Sequence, residues 1–98
     1  METLSLVSDV FLSKREALSA LSSVLRLPIL EHDSADPYLV MEPGVELRIE
    51  VPKYGEDLPL TLDLHGAQLG QLQDVARSLT ETVAATLGWR LGVIGEAD

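Results

Sequence analysis

Two stretches near the middle of the chain alternate strictly between aliphatic and other residues. In residues 45–51 every second residue is valine, leucine or isoleucine, and in residues 58–64 every second residue is leucine. This period of two is typical of an antiparallel strand that buries one face. The segment between the stretches contains Pro52 and Gly55. We therefore predict a β-hairpin whose buried residues include Leu47, Ile49, Leu60 and Leu62.

Two other stretches show the spacing of amphipathic helices. Ser13 and Glu16 have the form of a capping box, and a helix over about residues 14–25 would end before Pro28. From Ala67 to Leu87 the apolar residues recur at intervals of three and four, and a glycine follows. Such spacing places them on one side of a helix. The chain is therefore predicted to contain two helices, each with a single apolar stripe.

Residues 3–12 fit both a strand and the start of a helix. Their leucines and valines match a period of two, but some of them also continue the apolar stripe of the following helix. We favour a strand, because the capping box at Ser13 marks a helix start there. The alternative is one long helix over residues 3–26.

Two short segments complete the predicted order of elements. Residues 38–41 precede a Pro-Gly turn signal and are predicted as a short additional strand. Residues 89–94 alternate again and are predicted as the last strand. The resulting order, β-α-β-β-α-β, is the ferredoxin-like order of a two-layer α+β sandwich, in a single domain over residues 1–98. With a long N-terminal helix the order would instead be α-β-β-α-β.

The charge of the chain excludes several classes of function. Sixteen Asp and Glu outnumber seven Lys and Arg, which gives a net charge of −9. Direct nucleic-acid binding through phosphate neutralisation is therefore not expected. The chain has no cysteine for disulfides and no apolar run long enough for a membrane helix. The N-terminus lacks the basic start of a signal peptide, so we expect a cytoplasmic protein.

Two groups of titratable residues are candidates for site chemistry. Asp63 and His65 lie two apart on a predicted strand and share a face, where the carboxylate could orient the imidazole. Glu31, His32 and Asp33 supply ligand types for a divalent cation, but their spacing matches no known metal-binding loop. Since no nucleophile motif or phosphate loop accompanies them, we expect no enzyme, no metal and no cofactor. A small-molecule or metal-binding domain that uses one of these groups remains an alternative.

The predicted hairpin concentrates acidic residues on its polar face. We expect a small acidic protein-interaction module, such as an adaptor, an immunity or antitoxin-like protein, or an accessory subunit. Its docking surface for a basic partner protein would consist of Glu46, Arg48, Glu50, Glu56, Asp57 and Asp63. The alternative is an acidic DNA mimic that inhibits a nucleic-acid-binding protein.

Self-association is expected because the chain contains many aliphatic residues. Nineteen leucines in 98 residues exceed what a small domain can bury completely. A homodimer would cover the excess across a two-fold axis. The residues predicted for this interface flank the acidic loop: Leu27, Ile29, Leu30, Leu39, Val40 and Met41.

Overall fold

The computed structural model describes residues 1–31, 37–50 and 60–97, with only the backbone described for residues 95–97. These residues form five strands and two helices. In chain order the elements are β1 (Glu2–Ser8), α1 (Lys14–Leu25), β2 (Leu39–Glu42), β3 (Val45–Glu50), β4 (Thr61–Gly66), α2 (Leu69–Thr86) and β5 (Leu91–Ala97).

The five strands form one antiparallel sheet in the order β2-β3-β4-β1-β5. Helix α1 packs against β3, helix α2 packs across β1, β4 and β5, and the two helices contact each other. The domain is therefore a two-layer α+β sandwich, as predicted. The predicted extra strand is β2, which pairs with β3 at one edge of the sheet.

The hydrophobic core consists of rows of aliphatic side chains that cross the sheet beneath the helices. In one row Leu39, Leu47, Leu64 and Leu4 are register partners on neighbouring strands, and in the next Ile49, Leu62 and Leu6 are. Each of these side chains is at most 1% exposed. Regular alternation on four strands thus gives one continuous apolar face.

Helix α1 begins and ends at residues whose local chemistry explains the boundary. The Ser13 hydroxyl accepts a hydrogen bond from the Glu16 backbone N–H at 3.1 Å, and Glu16 Oε1 accepts one from the Ser13 N–H at 3.3 Å. This is the predicted capping box, and the predicted bounds 14–25 are confirmed. At the other end Arg26 adopts the left-handed conformation with φ 57°, which closes the helix two residues before Pro28.

The turn between β2 and β3 is short because Gly44 takes φ +85°, a conformation that favours glycine. The sequence signal for this turn was the preceding Pro43. Helix α2 ends in a similar way, since Gly88 follows it with φ +72°. The next residue, Trp89, is buried at the edge of the core.

The favoured strand in residues 3–12 is confirmed as β1, and the alternative of one helix over residues 3–26 is wrong, because α1 is a separate element that starts at its own cap. Some predicted boundaries shift, and the last strand covers Leu91–Ala97 rather than residues 89–94. Strand β4 continues through His65 and Gly66, two residues beyond the predicted stretch 58–64. It extends that far because β1 supplies pairing partners, Thr3 for His65 and Glu2 for Gly66, and tertiary pairing overrides the local signal of a glycine.

Candidate functional site on the open face of the sheet

Both helices cover the same face of the sheet, and the side chains on the opposite face are mainly polar. We call this surface the open face. It is built from three rows of register partners on β3, β4 and β1: Glu46–His65–Thr3, Arg48–Asp63–Ser5 and Glu50–Thr61–Val7. Most of these side chains are half-buried by their neighbours, and Glu50 is exposed.

Arg48 is held in place on the open face by two neighbours. Its Nη2 donates to Glu46 Oε2 at 3.1 Å, and the guanidinium lies over the Tyr38 ring, 4.5 Å from the ring centroid. The Tyr38 ring is itself buried. A cation stacked on a buried ring and paired with a carboxylate is restrained in orientation. The positive charge of Arg48 is therefore already engaged within the chain.

Asp63 lies at the centre of the open face, between Arg48 and Ser5 in the register. Its Oδ1 atom is buried and has no hydrogen-bond partner among the described residues. A carboxylate oxygen without a donor costs about 1–3 kcal/mol relative to a satisfied one. Oδ1 of Asp63 thus has unused accepting capacity within the described part of the chain.

His65 is engaged with Thr3, since the Thr3 hydroxyl lies 3.1 Å from its Nδ1. In the described part of the chain no hydrogen bond or ion pair joins His65 to Asp63, although both lie on the open face. An open cavity of about 440 Å³ adjoins His65 and Glu46, with Val40, Gly44 and Met1 on its wall. Asp63 therefore does not orient the imidazole of His65 in this structure. The hydroxyl of Thr3 makes the contact with the ring instead.

Comparison with models of known protein families gives no match for this chain, and comparison with curated proteins gives none either. Neither of the two described helices has the length and apolar character required to cross a membrane. The function must therefore be inferred from the open face and the other surfaces themselves.

The predicted docking surface is partly assembled. Glu46, Arg48, Glu50 and Asp63 come together on the open face, whereas Glu56 and Asp57 lie outside the described residues. The other candidate group is not described as a whole. Glu31 is exposed, and both His32 and Asp33 fall outside the described residues. Among residues 1–31, 37–50 and 60–97 there is no cluster of three or more potential metal ligands.

The six residues predicted for a dimer interface do not share one surface. Leu39 is fully buried under the helices, and Leu27 and Met41 pack against the core. Val40 points to the open face beside Glu46, and Leu30 forms a bridge with Tyr38. Ile29 is the most exposed of the six at 39%. An interface made from this set stays a prediction, with Ile29 as its most accessible member.

Sequence reasoning overlooked three contributors to the open face: Thr3, Ser5 and Tyr38. The first two alternate with the buried Leu4 and Leu6, so the period of two already placed them opposite the core. The sequence did not show that β1 lies inside the sheet, next to β4. Tyr38 carried no pattern of its own, because its role depends on Arg48, a residue on another strand.

Proposed function

We propose that this chain is a non-enzymatic protein-interaction module that docks a basic partner protein on the open face. The observation that carries the proposal is the charge of that face. Among its described residues three carboxylates, Glu46, Glu50 and Asp63, accompany one guanidinium. Since that guanidinium is restrained by Glu46 and Tyr38, the face presents an excess of negative charge to a partner.

The arrangement of the face supports recognition of a partner rather than simple solvation. The carboxylates stand on the rigid paired strands β3 and β4, which hold them in a defined register. Asp63 lies between Arg48 and Ser5 in the register, so its carboxylate adds negative charge to the middle of the face. Complementary charge of this kind accelerates association and selects partners, and contributes less to affinity itself.

Affinity capture with paired variants tests the proposal. The variant E46Q/E50Q removes two negative charges from the open face, and D74N/E31Q removes two from exposed positions elsewhere. We expect a basic protein to be retained by the wild type and by D74N/E31Q, lost with E46Q/E50Q, and released from the wild type by salt. A partner that E46Q/E50Q retains as well as the wild type would show that the open face is not the docking surface.

The same experiment distinguishes the DNA-mimic alternative. If the captured protein binds nucleic acid, adding duplex DNA should displace it from the chain, because both ligands would occupy one basic site. If the chain is instead an adaptor that contacts the captured protein outside its DNA-binding site, that protein should stay bound to the chain in the presence of DNA. We expect the second result, because the open face contains a restrained arginine among its carboxylates.

A further inference from the structure

Strand β5 ends the sheet, with β1 on one side and no described strand on the other. It is seven residues long, so its outer side presents a row of backbone N–H and C=O groups that pair with no strand among the described residues. Proteins commonly protect such an edge with charged side chains or proline. Of the seven residues of β5 only Glu96 is charged, and the described side chains are aliphatic or glycine, namely Leu91, Gly92, Val93 and Ile94.

The apolar core continues to this edge and is left uncovered there. Val93 is the register partner of Leu6, in the core row that also contains Leu62 and Ile49. The three inner members of the row are at most 1% exposed, but Val93 is 56% exposed. Next to it Ile94, the extra residue of a β-bulge, is 60% exposed. Adjacent exposed aliphatic side chains at an open sheet edge are typical of an interaction site.

A groove of about 410 Å³ runs between β5 and helix α2. Leu91 and Val93 line it on the strand side, and Arg77, Thr80 and Glu81 line it on the helix side. The groove is therefore apolar along the sheet and carries one charge of each sign along the helix. Unlike the open face, this surface has no excess of negative charge.

The charges on α2 are self-complementary. Arg77 and Glu81 lie one helical turn apart, and within the chain Arg77 has a long contact of 3.8 Å to Asp74, with both side chains more than 70% exposed. If two copies meet through antiparallel β5 strands, a two-fold axis perpendicular to the sheet brings their α2 helices side by side in opposite directions. With the axis level with Leu79, midway between the two charges, Arg77 of each copy faces Glu81 of the other.

From these observations we infer that the β5 edge and its groove bind a second copy of this chain. The two β5 strands pair antiparallel and join the two sheets into one continuous sheet. Leu91 and Val93 of both copies fill the space beneath the paired α2 helices. The open face of each copy stays free, so this inference is independent of the proposed docking of a basic partner and uses different residues.

Light scattering coupled to size exclusion tests the inference with two variants. The wild type at tens of micromolar should elute with twice the 10.6 kDa mass of one chain. V93K/I94K should give the mass of one chain and keep its circular dichroism spectrum, because both side chains are exposed. I29K places a lysine in the other candidate interface and should leave the mass unchanged. A wild type with the mass of one chain, or a dimer that only I29K disrupts, would overturn the inference.

Charge exchange on α2 shows whether the partner is a second copy. R77E alone and E81R alone should each raise the dissociation constant several-fold, because each homodimer then contains two like-charge pairs. An equimolar mixture of R77E and E81R should form heterodimers at near wild-type affinity, since every arginine again meets a glutamate. Failure of the mixture to recover would contradict the two-fold arrangement, even if V93K/I94K is monomeric.

Discussion

Gly66, at the end of β4, leaves too little space for a side chain unless its neighbours shift. A Cβ atom at this position would lie 3.0 Å from the Gly44 carbonyl oxygen and 3.0 Å from Leu72 Cδ2. The backbone of the β2–β3 turn cannot move aside as a flexible side chain can, so Gly66→Ala should lower the free energy of unfolding by about 1–3 kcal/mol. Gly70→Ala is the matched control, because a Cβ there meets nothing within 4 Å. Because Gly70 is the second residue of α2, that change should stabilise by less than the about 1 kcal/mol of a helix interior.

Urea unfolding of both glycine variants measures the difference. The expected midpoints lie on opposite sides of the wild-type value, lower for Gly66→Ala and higher for Gly70→Ala. A Gly66→Ala protein as stable as the wild type would mean that the β2–β3 turn can shift away from β4.

The capping box at the start of α1 gives a second prediction at single residues. Ser13→Ala removes the acceptor for the Glu16 N–H and should cost about 1 kcal/mol. Ser19→Ala, at an exposed position inside the same helix, should be neutral or slightly stabilising because alanine favours helices. Thermal unfolding of the two variants gives the comparison. Equal melting temperatures would show that the helix start is held by packing alone.

These two features differ in how far the sequence reveals them. The capping box is local, since both partners lie within three residues, and it could be predicted with the correct helix bounds. The crowding at Gly66 depends on Gly44, which a separate strand brings close. For the same reason the sequence placed Asp63 and His65 on one face but gave no indication that Thr3 would be the partner of His65.

The β3–β4 hairpin is the element that connects the core to the open face. Ile49 is fully buried on its inner side and pairs with Leu62 in the register. Ile49→Asp would place an unpaired charge beneath the helices and should unfold the domain at room temperature. Ile94→Asp makes the same change at an exposed strand residue and should leave dilute protein folded. Thermal melting followed by circular dichroism compares the two variants. A normal transition for Ile49→Asp would contradict the register that pairs Ile49 with Leu62.

The sequence predicted the strands and helices better than it predicted the contacts between individual residues. Strict alternation specified the hairpin and its buried residues Leu47, Ile49, Leu60 and Leu62, and all four are buried. The β-bulge at Ile94 was not predictable, because it depends on how β5 aligns with β1. The sequence also did not show which edge would remain uncovered, since exposure at an edge is a property of the assembled sheet.

Across the whole molecule, charge and apolar surface are separated. The open face has an excess of carboxylates, whereas the groove beside β5 contains one arginine and one glutamate around exposed aliphatic residues. Two copies of a chain with net charge −9 would repel each other most where their acidic faces meet. The distribution therefore supports both proposals, the docking of a basic protein on the open face and of a second copy at the β5 edge.

This separation predicts opposite responses of the two complexes to salt. Between about 0.05 M and 0.5 M NaCl the screening length falls from over ten ångströms to a few. The complex with a basic partner should weaken steeply, because its attraction acts between unlike charges. The homodimer should hold or strengthen, because screening removes long-range repulsion between two acidic chains while apolar contacts at β5 persist.

The variant E46Q/E50Q should show the same opposite effects on the two complexes, since it removes negative charge. It should bind the partner more weakly and form a slightly tighter dimer at low salt. Sedimentation equilibrium across this range measures the dimer, and a dimer that dissociates as steeply as the partner complex would show that ion pairs, rather than the aliphatic edge, hold it together.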